Sequence, residues 1–405
     1  MEFTQFELPS GIRCIHKRVK SPVAYCGLTI NTGSRDEKAD EHGLAHLIEH
    51  CLFKGTERRR AYQINNRLEN LGGELNAFTS KEETVVHATV LKGDFARAVE
   101  LIADVVFYSV FPQKEIEREK DVILDEINSY KDSPVELIYD DFEDRLFAGS
   151  SLGHNILGTK RSVAKYTTDN IRAFCNRTYN TGQMVFSSVG NLSEKRFRDI
   201  CERHLGPMAE NKRIFERERV SDVPVFHDVL KKSSYQTHCI LGTRAYANND
   251  PKRIPLSLLV NILGGPSANS LLNMALRERN GLTYSVDAGY TPYSDTGIAT
   301  IYFGTDRDKL DRCLELVDLE LKKIISGHIS SRQFAIAKKQ FIGQFHISME
   351  SNEGNMLSAG KSCLVYNRVD PTSEVIRRIQ AISLAELVDV AKDIYGKPLS
   401  SLVYQ

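Results

Sequence analysis

Glu41-His42-Gly43-Leu44-Ala45-His46-Leu47-Ile48-Glu49-His50-Cys51-Leu52-Phe53-Lys54-Gly55-Thr56 is the stretch on which the reading of this chain turns. Leu44, Ala45, Leu47, Ile48 and Leu52 favour a helix, and Gly55 is placed to stop it. Residues four apart stand one above the other on a helical face, so His46 and His50 can hold one metal ion between them. Glu49 brings a carboxylate beside that ion without having to bind it. Two imidazoles, an open position for water and a carboxylate able to take a proton are what hydrolytic zinc chemistry needs. The plain alternative is a polar helix face that happens to carry two histidines, and the rest of the chain decides between them.

The chain has 405 residues, a length that suits two domains. At 41% hydrophobic and 26% charged it reads as an ordinary soluble globular protein. Basic and acidic residues balance at 53 each, which gives no electrostatic case for a nucleic-acid partner. No apolar run approaches the roughly 20 residues that span a bilayer. Met1 to Glu7 lacks the basic start and apolar core of a signal peptide, and its two glutamates argue against a transit peptide, so a cytoplasmic location is expected. The eight cysteines are scattered with no C-x-x-C pair, which excludes a disulfide framework and a cysteine-based zinc site. Cys51 neighbours His50 but points off the ligand face, and no catalytic role is assigned to it.

Outward from the histidine helix, turn signals separate strand-like runs from amphipathic ones. Ile12–His16 and Val23–Ile30 read as strands, Tyr62–Leu71 as a helix stopped by Gly72-Gly73, and Thr84–Val90 as a further strand. Helices follow over about 94–108 and 114–131, and Met184–Gly190 is again a strand. Strands in consecutive runs make this an α+β chain. The pattern then restarts. Ala88-Thr89-Val90 followed by Ala98–Ile102 is echoed by Ala299-Thr300-Ile301 followed by Cys313–Val317, half the chain further on. In the echo, His46, Glu49 and His50 fall on Ser257, Val260 and Asn261, so the second copy keeps a helix and lacks the ligands. The expected organisation is a domain over 1–210, a charge-rich linker over 211–224 and a homologous domain over 225–405.

A third ligand is sought among the carboxylates of Glu115–Ile127. Glu119 and Glu126 are seven apart and share a face. Val122 and Ile123 between them suggest that this face is buried, and buried carboxylates need a partner, of which a metal is one. Glu115, Glu117, Asp121 and Asp125 read as solvated.

His46-x-x-Glu49-His50 with Glu126 resembles the pitrilysin-like M16 metallopeptidases, whose inverzincin signature it shares. Gly33-Ser34-Arg35, Gly43-Leu44-Ala45, Phe53-Lys54-Gly55-Thr56, Gly72-Gly73-x-x-Asn76-Ala77-x-Thr79 and Ile156-Leu157-Gly158-Thr159 are similar to that family's blocks. So is Leu276-Arg277-Glu278-x-x-Gly281-Leu282-x-Tyr284-Ser285-Val286. The resemblance covers essentially the whole chain and is closest to the short, two-domain members similar to the mitochondrial processing peptidase. It implies two duplicated α+β domains, each a mainly antiparallel sheet with helices packed on it, facing each other like a clam shell. It also implies one zinc ion per chain on His46, His50 and Glu126, with Glu49 as general base and Glu119 as a supporting carboxylate. Asn76, Ala77 and Phe78 would form an edge strand to which a peptide adds. Arg277 and Tyr284 would bind the substrate backbone and its developing oxyanion. Since one chain carries both the zinc motif and the Arg/Tyr pair, a homodimer is expected.

The implied activity is endopeptidase cleavage of short or unfolded polypeptides in an enclosed chamber, without nucleic-acid or membrane partners. Two readings compete: a non-catalytic scaffold or regulatory subunit of a processing-peptidase-like complex, and a metal-binding protein in which Glu49 is dispensable. Cobalt or manganese could also occupy a site of two imidazoles and a carboxylate. His42 is read as a neighbour of the motif rather than a ligand. His16, His87, His154, His204, His227, His238, His328 and His346 are read as structural or surface residues.

Overall fold

A computed structural model describes residues 2–405 other than Ser233. The first sheet holds β1 (Thr4–Glu7), β2 (Arg13–Arg18), β3 (Val23–Ile30), β4 (Glu74–Thr79), β5 (Thr84–Leu91) and β6 (Met184–Gly190), ordered β1-β2-β6-β3-β5-β4. The helices of the first half of the chain are α1 (Leu44–Cys51), α2 (Ala61–Glu69), α3 (Phe95–Phe107), α4 (Gln113–Lys131), α5 (Pro134–Leu146), α6 (Lys160–Ala164), α7 (Thr168–Thr178) and α8 (Glu194–His204). The second sheet holds β7 (His227–Leu230), β8 (Thr237–Ala245), β9 (Thr283–Pro292), β10 (Gly297–Thr305) and β11 (Ser400–Tyr404), ordered β7-β11-β8-β10-β9. The helices of the second half of the chain are α9 (Arg253–Gly264), α10 (Leu310–Ile325), α11 (Ser331–Ser348), α12 (Asn352–Tyr366), α13 (Thr372–Ala381) and α14 (Leu384–Tyr395).

The duplication is visible strand by strand. β7, β8, β9, β10 and β11 take the sheet positions of β2, β3, β4, β5 and β6, with β1 as an addition to the first sheet. Even the sense of pairing repeats: β2 runs parallel to β6 and β7 parallel to β11, whereas every other neighbour is antiparallel. The central strands are apolar on both faces because both are covered. On β3, Ala24, Cys26, Leu28 and Ile30 alternate with Gly27 and Thr29, and all six are buried.

Two compact units form, but each is built from interleaved segments of the chain. One comprises residues up to Ser129, His154–Glu218 and Ser348–Pro371; the other comprises Tyr130–Gly153, Arg219–Ile347 and Thr372–Gln405. The interleaving is reciprocal. In the first unit α12, from late in the chain, packs on β2, β3 and β6. It sits close because Gly360 has no Cβ: one would lie 2.7 Å from Thr29 Oγ1 and 2.9 Å from Ser187 Oγ. In the second unit α5, from the first half of the chain, packs on β8 and β11, with Phe142 against Gly242 and Ile138, Phe142 and Leu146 meeting Ile240, Leu402 and Tyr404. β8 and β11 hold the places of β3 and β6, so α5 and α12 are exchanged equivalents. A cut into residues 1–210 and 225–405 separates the two sheets but strips each of the helix on its second face.

The charged stretch after Gly206 is also less free than its composition suggests. Arg217 is buried and donates from Nε to Asp36 Oδ1 at 3.0 Å, and from Nη2 to Asp36 Oδ2 at 2.7 Å and to Glu82 O at 2.9 Å. Its charges serve as buried partners, which is why low apolar content misleads here. In the second unit α9, α10 and α14 enclose a core that includes Leu256, Leu259, Ile301, Phe303, Val317 and Leu387. No helix among the described residues is long and apolar enough to cross a membrane.

Candidate metal centre

Helix α1 is short, and its two faces have different tasks. Leu44, Leu47, Ile48 and Cys51 are buried, while His46 and His50 stand one turn apart with ring centroids 4.6 Å apart. Its start is fixed by Gly43, at φ +88, and by a carboxylate from outside the helix. Glu37 is buried and accepts from Gly43 N–H at 3.0 Å and Ala45 N–H at 2.8 Å, and lies 2.7 Å from His154 Nε2. It thereby satisfies two of the backbone donors that a helix start leaves open. Burial pushes the Glu37 carboxyl above the usual carboxylate range, and the helix amides pull against that. His42 stacks on His154 at 3.9 Å between ring centroids. Both histidines lie at the approach to α1, apart from the group of His46, His50 and Glu126.

Helix α4 supplies the carboxylates. Its buried face runs through Ile116, Glu119, Lys120, Ile123 and Ile127. Val122 does not belong to it: at 49% exposure it faces outward, one step round the helix from the stripe anticipated for it. Glu119 is nearly buried and Glu126 half-buried. Glu126 Oε2 lies 3.7 Å from His46 Nε2 and 3.8 Å from His50 Nε2, and the three ligand atoms fall within 4.8 Å of one another. This is the one group of three or more His, Cys, Asp or Glu side chains placed to hold a metal ion among the described residues.

The donor set fits zinc. A tetrahedral ion about 2.0–2.1 Å from nitrogen and oxygen ligands sets them roughly 3.3 Å apart, a small contraction from the separations here. Glu119 Oε2 lies 3.2 Å from His50 Nδ1; a carboxylate can only accept, so Nδ1 carries the proton and Nε2 keeps its lone pair toward Glu126. Lys54 Nζ meets the other oxygen of Glu119 at 2.7 Å. His46 lies deeper: burial, and secondarily the neighbouring His50, lower its pKa to about 3, so its imidazole is a neutral donor. Its Nδ1 is buried without a hydrogen-bond partner among the described residues.

Glu49 hydrogen-bonds to Thr79 at the end of β4 and feels the charges of His50 and Glu126. Burial raises its pKa, and Thr79 and the charge of His50 draw it back. The sheet ends at β4, whose Asn76, Ala77 and Phe78 pair with His87, Val86 and Val85 of β5 on one side, with no strand paired on the other among the described residues. Cys51 is buried, and burial pushes its thiol up to about 12. Arg277 and Tyr284 lie in the other compact unit, both exposed, Tyr284 on the edge strand β9 and Arg277 with Nε 3.8 Å from Glu278 Oε1. Glu37, Lys54 and His154 were not singled out in the sequence as site residues; Glu37 lies two residues beyond the Gly33-Ser34-Arg35 block, and that closeness was the available signal.

Comparison with known proteins gives the family. Residues 14–160 match the model of insulinase, peptidase family M16, and residues 165–341 that of the peptidase M16 inactive domain. An uncharacterized zinc protease of Bacillus subtilis is 32% identical over 372 residues, covering 91% of this chain and 90% of its own. The chain belongs to peptidase family M16. A second M16 relative, an uncharacterized zinc protease of Mycobacterium tuberculosis H37Rv, is 30% identical, with 98% of this chain and 91% of that one covered. Among solved structures, a protease from Helicobacter pylori superposes with a TM-score of 0.92 at 19% identity, covering 100% of this chain and 99% of that one. A Pseudomonas fluorescens structure described as a peptidase M16 inactive domain gives 0.93 at 20%, covering 100% and 98%. These two likenesses establish the M16 two-domain fold, and the sequence relatives, named zinc proteases, a zinc protease family.

Proposed function

We propose that this M16 chain is a zinc-dependent endopeptidase that hydrolyses short or unfolded polypeptides in an enclosed chamber, with Glu49 as general base. The observation that carries the reading is the convergence, within 4.8 Å, of ligand atoms of His46 and His50 from α1 and of Glu126 from α4, with Glu49 on the same helix as the two histidines. Zinc, when bound there, supplies Lewis acidity toward water and a peptide carbonyl. The protein's own groups do the remainder. Glu119 holds the proton on His50 Nδ1 and so presents Nε2. Glu49 takes a proton from the attacking water and returns it to the leaving amine nitrogen; its raised proton affinity, set by burial, suits a base that must also act as an acid. The open edge of β4 can accept an extended peptide by backbone hydrogen bonds, a mode indifferent to most side chains. Tyr284 is assigned to the oxyanion and Arg277 to the substrate backbone, in a cytoplasmic homodimer. The non-catalytic reading is disfavoured because His46, Glu49, His50 and Glu126 are all present.

The test is cleavage of an unstructured, internally quenched peptide by wild type and Glu49→Gln, with metal content measured in both. Cleavage by wild type, its loss on chelation and return with zinc, and its absence in a metal-loaded Glu49→Gln support the reading. Equal activity in the two loaded proteins overturns Glu49 as the base, and inertness of a zinc-loaded wild type toward a panel of unfolded peptides overturns the peptidase.

A further inference from the structure

Lys54 lies just beyond α1, in a turn pinned on every side. Its amide donates to Cys51 O at 3.1 Å, Ser109 Oγ donates to Leu52 O at 3.0 Å, and Val110 N donates to Gly55 O at 3.1 Å. Thr56 Oγ1 adds a hydrogen bond to the buried Asp104 at 2.9 Å. The lysine stem therefore starts from a fixed point. Its ammonium meets Glu119 Oε1 at 2.7 Å, and the opposite oxygen of that carboxylate accepts from His50 Nδ1 at 3.2 Å. The Glu119 side chain is only 10% exposed, and a carboxylate so enclosed needs a charged or hydrogen-bonding partner. The nearby cations of α4 are engaged elsewhere, Arg118 with Glu115 and Lys120 with Glu117.

We propose that Lys54 is a positioning residue of the metal centre: by clamping one oxygen of Glu119 it fixes the other against His50 Nδ1, and so sets the angle at which His50 Nε2 meets the metal. The chain of contact is Lys54 to Glu119 to His50, with both ends anchored to α1 and its following turn and the middle to α4. Remove the ammonium and the carboxylate is free to rotate about its own side chain, so that His50 loses a fixed acceptor. Partners of metal-bound histidines are worth about 10–100-fold in metal affinity, and a residue one contact further out belongs at the lower end.

This rests on His46, His50 and Glu126 being the zinc ligands, and the experiment separates the two claims. Zinc dissociation constants are measured on the full chain by competition with a chromophoric chelator, for wild type, Lys54→Met, Lys54→Arg, Glu119→Gln and the double variant Lys54→Met/Glu119→Gln. Thermal midpoints of the metal-free proteins are recorded alongside. The expected result is about 10-fold weaker zinc binding in Lys54→Met, near-wild-type binding in Lys54→Arg, and no further loss when Lys54→Met is added to Glu119→Gln. A role confined to stability would lower the metal-free midpoint and leave the dissociation constant in place. Should Lys54→Met fail to fold, Lys54→Gln against Lys54→Arg makes the same comparison. Binding within twofold of wild type in Lys54→Met, or effects that simply add in the double variant, overturn the role of Lys54 and leave the ligand set standing. A wild type that takes up no zinc overturns both.

Discussion

Gly43→Ala isolates what the start of the metal helix demands. Gly43 sits at φ +88, where an L-residue with a Cβ costs about 1–2 kcal/mol. That Cβ would also lie 2.6 Å from Leu157 O and 2.9 Å from Gly158 Cα, backbone atoms that cannot turn aside. Forcing them apart costs roughly 1–3 kcal/mol more. The expected loss is therefore about 2–5 kcal/mol, or roughly 4–20 °C in the melting midpoint of a unit this size. Gly72→Ala is the matched control: its φ of +72 carries the same backbone cost, but nothing lies within 4 Å of its added Cβ. It should lose only about 1 kcal/mol. Both variants gain the same small benefit from a stiffer unfolded chain, which cancels in the comparison. The assay is paired thermal and urea denaturation of metal-free protein, with zinc affinity measured on each. Gly43→Ala should also bind zinc more weakly, since Glu37 grips α1 through the amides of Gly43 and Ala45. Equal destabilisation by the two substitutions would refute the close-approach argument.

Three more outcomes follow from the same geometry. Arg217→Met leaves Asp36 buried without its main partner and should cost about 3–5 kcal/mol, measured by urea denaturation, whereas an exposed linker residue would cost almost nothing. Phe142→Ala should cost about 3–5 kcal/mol and expose apolar surface to a hydrophobic dye, since Phe142 is fully buried against Gly242 and the second sheet; a change under 1 kcal/mol would mean that α5 is not part of that core. Burial lowers the pKa of His16 from 6.5, so its neutral form stabilises the fold above about pH 6.5, and that contribution is lost as pH falls toward the folded value, by at most about 1.4 kcal/mol per pH unit. His16→Gln should flatten this part of the acid limb in denaturation midpoints taken from pH 7 to 5, and an unchanged slope would show that His16 does not titrate there.

Local chemistry made much of this molecule readable in advance. The run Val23–Ile30 is a strand because its branched and apolar residues are covered on both faces, and α9 is a helix ending where Gly264-Gly265 permits a stop. His46, His50 and Glu126 were legible because helical spacing places the first two and the family blocks supply the third. Glu37 was not, because its partners are backbone amides of another element and leave no trace in composition. Val122 was misread for a related reason: its neighbour Ile123 carries the buried stripe, and a one-residue step on a helix turns a side chain by about 100°. The linker was read from its charges, but charge density does not say whether a guanidinium meets water or a buried Asp36. The exchange of α5 and α12 escaped altogether, since nothing local in either helix says which sheet it will cover.

That exchange sets a timetable for synthesis. As the chain leaves the ribosome, the strands of the first sheet are complete once β6 emerges, yet the face carrying Gly27, Thr29 and Ser187 stays bare until α12 arrives near the far end. Meanwhile α5 is made early and has no sheet to rest on until β8 and β11 exist, and β11 is the last strand of all. The first unit cannot close before α12 is made nor the second before β11, and a nascent chain halted midway presents one uncovered sheet and one orphaned helix. Such intermediates are the kind that invite aggregation or holding by chaperones. A protein of two similar units thus completes both only near the end of its synthesis.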